Sequence, residues 1–92
     1  MAVTPVAPTV TIPPANRTVT EGQTASFTVS VSGTAPFTYQ WLKNNNPIAG
    51  ATGASYTTPA TTLADSGSTY AVTVTNAQGS VTSAAATLTV NP

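Results

Sequence analysis

The chain has no cysteine and no histidine, and carries only two basic and two acidic side chains. Those charges are Arg17, Lys43, Glu21 and Asp65. Without cysteine there is no disulfide, no thiolate nucleophile and no thiolate metal site. Without histidine the commonest general base and the commonest metal ligand are gone. Two cations cannot neutralise a run of phosphates, so nucleic acid is not an expected partner. The same shortage argues against docking on anionic membranes. No segment approaches the roughly 20 apolar residues of a membrane span, so membrane insertion is not expected either. Met1-Ala2 has neither the basic start nor the apolar run of a signal peptide, and reads as an artificial start to a domain cut from a longer protein.

What is present points to strands. Of 92 residues, 40% are hydrophobic and only 4% charged. Thr and Val dominate, with Ser close behind, and β-branched side chains suit a pleated, half-buried surface. A disordered chain has the opposite balance. The length is that of one domain near the lower limit of comfortable core size. Residues 1–8 are Pro-spaced and unpatterned and read as a linker; residues 9–92 read as a single domain.

Alternation marks the strands. Thr9–Ile12 alternates and is stopped by Pro13-Pro14. Arg17–Thr20 is a short strand closed by a turn at Glu21-Gly22-Gln23. Thr24–Ser32 places Ala25, Phe27, Val29 and Val31 on one face and hydroxyl side chains on the other, the pattern of a half-buried strand. Phe37–Lys43 brings Phe37, Tyr39 and Trp41 together. Asn44-Asn45-Asn46-Pro47 is a turn signal. Ala54–Thr58 is a strand with Tyr56 inward, and Pro59–Asp65 crosses between sheets. Thr69–Asn76 places Tyr70, Val72 and Val74 inward and Thr or Ala outward. Ala77-Gln78-Gly79 is a hairpin turn, and Ser80–Asn91 is the last strand, with Leu88 and Val90 inward. Ile48–Gly53 fits neither sheet. Short strands at this spacing indicate a sandwich or barrel.

Three stretches carry a resemblance: EGQTASFTVSVSGTAPFTYQW (21–41), LADSGSTYAVTVTN (63–76) and GSVTSAAATLTV (79–90). Together they resemble bacterial immunoglobulin-like domains of the intermediate-set type, over roughly residues 9–90. The resemblance implies an all-β, immunoglobulin-like Greek-key sandwich of about seven to eight strands. Trp41 then matches the core tryptophan of the third strand. Val29 and Val72 match the two positions that hold the inter-sheet disulfide in related domains. Tyr70 matches the corner tyrosine, whose hydroxyl should bond to backbone near the turn before its strand. Asp65 and Gly67 match the Asp-x-Gly of that turn, which is one residue longer here.

No catalytic constellation is found. A nucleophile–base–orienter triad has no histidine, and Lys43 is the single lysine for a Ser-Lys variant, the plain reading being that it ends its strand in solvent. Glu21 and Asp65 are the only carboxylates for a glycosidase pair, and Asp65 already has a place in the corner turn. No carboxylate cluster suits calcium, and no cofactor is expected. Lys43 ends its strand and is expected to point to solvent, which argues against an isopeptide crosslink. Asn16-Arg17-Thr18 forms a glycosylation sequon that bears no further weight.

Two surfaces admit a binding reading beside a plain one. Asn44, Asn45 and Asn46 are explained by turn chemistry or by hydrogen bonds to sugar hydroxyls. Gln40 and Leu42 point outward, forming either a solvated Thr-rich sheet or a flat contact face for glycan or protein. The predicted core claims every aromatic, which leaves none to stack on a sugar. The leading expectation is therefore a non-catalytic spacer module of a larger secreted or cell-surface bacterial protein, with neighbouring domains as its partners. The resemblance adds that such domains recur in adhesins, carbohydrate-active enzymes and phage structural proteins. The alternative is a recognition module acting through its loops or the outer sheet face. Low charge also permits weak self-association of an otherwise monomeric domain.

Overall fold

A computed structural model describes residues 5–92. The segments are β1 Thr9–Ile12, β2 Arg17–Thr20, β3 Ser26–Thr28, β4 Ser30–Ser32, β5 Thr38–Lys43, β6 Asn46–Pro47, β7 Ser55–Thr57, β8 Thr69–Asn76, β9 Gly79–Thr82 and β10 Ala86–Asn91, with a 3₁₀ turn at Leu63–Asp65. One layer is β2-β10-β8-β5-β6, with β9 also on β8. In it β2 runs parallel to β10, and the other pairs are antiparallel. The second layer joins β1 to β4 and β3 to β7, all antiparallel. The fold is an immunoglobulin-like sandwich.

Two strands expected to be continuous are interrupted. β3 and β4 are halves of the expected Thr24–Ser32 strand. Val29 between them still donates its N–H to the Ala54 carbonyl at 3.1 Å, and its side chain is buried with the rest of that face. The expected Ser80–Asn91 strand breaks at residues 83–85 because of a bulge. Thr82 faces Thr73, but Ala86 faces Tyr70. Four steps along one strand thus match three along the other, one extra residue. Ser83 fills the gap: its buried hydroxyl accepts the Val72 N–H at 3.1 Å, and its own N–H reaches the Val72 carbonyl at 2.9 Å. Rejoining each interrupted strand turns ten segments into eight.

The core follows the inward phase of the alternation. Phe27, Trp41, Val72, Val74, Ala86 and Leu88 have no exposed surface, and Ala25, Val29, Tyr70 and Val90 are buried beside them. Each large side chain so removed from water contributes about 1.5–3 kcal/mol. Four aromatics link the layers. Phe27 and Tyr56 face Tyr70 and Trp41, with ring centroids 4.8 Å apart for Phe27–Tyr70, 5.9 Å for Tyr56–Tyr70, 6.3 Å for Trp41–Tyr56 and 6.5 Å for Phe27–Trp41.

The unassigned Ile48–Gly53 segment packs along β5 as the edge of the larger layer. Ile48 donates to the Trp41 carbonyl, and Trp41 donates to the Ala51 carbonyl. The indole Nε1 reaches the Gly53 carbonyl at 2.8 Å. Hydrogen bonds to one core residue thus hold a segment with no strand signal of its own.

Candidate functional site

Two of the four charges meet beside the turn that precedes β8. Lys43 is the last residue of β5 and Asp65 the last of the 3₁₀ turn. Nζ and Oδ1 are 3.1 Å apart. Lys43 was expected to face solvent alone; the fold instead brings the corner turn against the end of β5. Asp65 Oδ2 accepts the Thr62 N–H at 2.9 Å, closing the turn on itself. That backbone bond, followed by the Lys43 ammonium, holds the Asp65 carboxyl below its ordinary value of 3.8. The bond to Asp65 holds Lys43 above its ordinary 10.5. With 39% and 26% of the two side chains exposed, the pair is a screened surface bridge.

The Tyr70 ring is buried and stacks on Phe27. Burial raises its hydroxyl above the ordinary 10.0, with the nearby Lys43 charge opposing that shift. The hydroxyl bond to the corner backbone expected from the resemblance is not among the hydrogen bonds of the described residues. The turn is held instead by backbone bonds to β10. Gly67, at φ +88°, donates to the Leu88 carbonyl at 2.7 Å, and the Leu88 N–H returns to the Ser68 carbonyl at 2.8 Å. Gly67 and Ser68 thus clasp the corner turn to β10. Val29 and Val72 are both buried, Val72 directly across from Trp41 on the adjacent strand.

The asparagine turn is a tight hairpin. Lys43 pairs with Asn46, leaving Asn44 and Asn45 as the two central residues, with φ of +50° and +69°. Positive φ at both centres defines the hairpin turn whose twist matches the strands, and asparagine tolerates it. Asn44 is occupied further: its Oδ1 accepts the Thr69 N–H at 2.9 Å, and its own N–H reaches the Thr69 carbonyl at 2.8 Å. Asn46 Nδ2 turns back to the Asn44 carbonyl. Asn45 alone of the three makes no side-chain hydrogen bond among the described residues.

The outer face of the larger layer differs from the expected free surface. Gln40 Nε2 is spent on the Trp41 and Ile48 carbonyls, at 2.9 and 2.8 Å, tying β5 to its edge segment. Leu42 is half-buried opposite Ala71, and Ala71 is itself buried although the alternation put it outside. Around them the face is hydroxylic: Thr38 opposite Thr75, Thr73 opposite Thr82, Thr69 opposite Thr87 and Thr18 opposite Thr89. Sequence reasoning missed Ser83, whose buried hydroxyl is indistinguishable in pattern from the exposed serines around it. No concave pocket opens on the described surface, and the described residues form no His, Cys, Asp or Glu cluster able to hold a metal.

The strand pairing, the tryptophan core and the corner turn define the immunoglobulin class, and comparison with known proteins agrees. The family described as "Immunoglobulin domain" matches residues 7–79. The chain belongs to that family. It is 44% identical over 80 residues to the decoration protein of Escherichia phage T5, covering 85% of this chain and 48% of that protein. It is 42% identical over 90 residues to endoglucanase C of Cellulomonas fimi, covering 94% of this chain and 8% of that enzyme. The chain therefore spans less than half of either relative. Among solved structures, the titin domains Z1Z2 in complex with telethonin superpose with a TM-score of 0.80 at 34% identity, covering 97% of this chain and 50% of that one. It is an immunoglobulin-like module of the kind found in bacterial and phage proteins.

Proposed function

We propose that this chain is a non-catalytic module that spaces or presents other parts of a larger bacterial or phage protein, secreted or exposed on a cell or particle surface. The observation that carries the reading is that one unit, above 40% identity, recurs in a phage decoration protein and in an endoglucanase. Decorating a particle and cleaving a glucan share no chemistry. A role common to both is mechanical, and belongs to the module rather than to its neighbours. The geometry supports this. Asn44, Asn46 and Gln40, the side chains best suited to grip a sugar, are bonded within the domain. The outer face is a lattice of hydroxyls without an exposed aromatic to stack on a ring.

The test is adsorption of the isolated chain to insoluble cellulose and chitin and to a glycan array. Asn45→Gly serves as control, because glycine keeps the positive φ and removes the one uncommitted side chain of the turn. No saturable binding is expected. Saturable binding lost in Asn45→Gly would replace the spacer reading with a recognition module acting through this hairpin.

A further inference from the structure

The segment before β1 looks like a linker by composition, yet it is bonded to two loops at its end of the sandwich. The Val6 N–H donates to Thr34 Oγ1 at 2.8 Å. The Val6 carbonyl accepts from the Thr34 N–H at 3.1 Å and from Asn76 Nδ2 at 2.7 Å. The same Nδ2 reaches the Thr34 carbonyl at 2.9 Å, while Asn76 Oδ1 accepts the Gln78 N–H at 2.9 Å. One asparagine side chain therefore joins the lead-in segment, the loop after β4 and the β8–β9 hairpin.

Gly33 shows how closely the segment lies. It sits at φ +130°, and a Cβ there would meet the Ala7 carbonyl at 2.9 Å, the Val6 carbonyl at 3.1 Å and Pro8 Cα at 3.2 Å. A Cβ on Gly79 would also touch Ala7, at 3.9 Å. Pro5 and Pro8 fix their own φ on either side, and Pro8 is buried. The Val6 side chain is 54% exposed. Backbone bonds and close approach, not burial of Val6, therefore hold the segment.

We propose that Pro5–Pro8 is a rigid clamp, closed by Thr34 and Asn76 over Gly33, that fixes the direction in which the chain joins the sandwich. The chain at Pro5 then meets the sandwich at a set angle instead of swinging on a flexible tether. For a spacer this decides between a stiff stalk and a loose chain, since a flexible linker lets the ends sample a wide range of separations. The consequence for reach rests on the spacer reading; the rigidity itself belongs to this chain alone.

The absence of cysteine makes the experiment clean. Val6→Cys and Thr89→Cys place two spin labels, one on the clamp and one on the exposed outer face of β10. Their distance distribution is read by pulsed electron resonance. The expected result is one narrow distribution that broadens when Asn76→Ala or Gly33→Val is added, with circular dichroism confirming that the sandwich stays folded. Should Gly33→Val fail to fold, Asn76→Asp removes the Nδ2 donor with little change of shape. Exchange of the Val6 amide is expected to be slowed at least about tenfold relative to a free chain, and to lose that protection in the Asn76 variants. A broad distribution in the doubly labelled parent, or a narrow one that survives every substitution, overturns the clamp. Polysaccharide binding would sink the spacer reading and leave the clamp standing, so the two failures are distinguishable.

Discussion

Replacing Trp41 by alanine tests the core most directly. The side chain has no exposed surface, touches Phe27 and Tyr56 across the sandwich and donates its indole N–H to Gly53 at 2.8 Å. A buried aromatic of this kind removes roughly 150–250 Å² from water. At about 25 cal/mol per Å² that is roughly 4–6 kcal/mol. Alanine retains part of that area, and measured truncations of this type cost about 3–5 kcal/mol. A small domain has only about 5–15 kcal/mol in total. Trp41→Ala should therefore lower the melting temperature by at least about 12 °C, taking about 4 °C per kcal/mol as the lower bound. Trp41→Phe separates two causes. It keeps much of the apolar volume and loses the bond to Gly53, and should cost about 1–2 kcal/mol beyond the lost ring volume. Urea unfolding followed by far-ultraviolet circular dichroism reads both variants without relying on tryptophan fluorescence. A Trp41→Ala variant within about 1 kcal/mol of the parent would refute the packing argument. Equal losses in the two variants would mean that the hydrogen bond, not the packing, holds this centre.

Three further outcomes are expected. Ser83→Ala should cost about 1–3 kcal/mol, because it strands the Val72 N–H under the bulge; chemical denaturation measures it, and a neutral variant would show that water replaces the hydroxyl. Asn45→Gly should leave stability unchanged or slightly higher, whereas Asn45→Val should lose about 1–2 kcal/mol by forcing a branched residue to φ +69°; equal melting temperatures would contradict the turn assignment. The Lys43–Asp65 bridge, screened to at most about 1 kcal/mol, should show as a pH-dependent gap between the parent and Asp65→Asn. The Asp65 share is fully present above its ordinary value of 3.8 and lost as pH falls through its lowered folded value. The Lys43 share is present below 10.5 and lost as pH rises through its raised folded value. A gap that does not narrow in acid would remove Asp65 from this account.

Alternation made most of the sandwich legible. Phe27, Val29, Trp41, Tyr70, Val72, Val74, Leu88 and Val90 each fall on the inward phase of a strand, most of them beside hydroxyl side chains, and the pleat turns that period into one buried face. What failed to show depends on contacts between distant segments. The bulge at Ser83 is set by its pairing with Val72, and nothing in SVTSAAAT distinguishes that serine from its neighbours. Ile48–Gly53 has no strand period because Trp41 and Gln40 supply its partners from another strand. The Lys43–Asp65 contact depends on where the corner turn lands against the end of β5. Among the candidate binding residues, the asparagine turn was legible as a turn. That Asn44 and Gln40 would be bonded internally was not, since both partners lie on other segments.

The missing disulfide has a counterpart in the aromatic contacts. A bridge between positions 29 and 72 would close a loop of about 43 residues, which the chain-entropy model values at about 4 kcal/mol. Here the valines fill those sites, and the link between layers falls to Phe27, Tyr56, Tyr70 and Trp41. Phe27 and Tyr56 belong to β3 and β7, Trp41 and Tyr70 to β5 and β8, so all four aromatic contacts cross from one layer to the other. Offset or tilted pairs contribute about 0.5–1.5 kcal/mol each beyond their burial. Four therefore give roughly 2–6 kcal/mol if they add, the same scale as the bridge they stand in for. The two devices differ in what they demand of the surroundings. A disulfide requires an oxidising compartment, whereas stacked rings require only that the chain fold. A module stapled in this way can close its sandwich in a reducing or an oxidising compartment alike, with the same core in both.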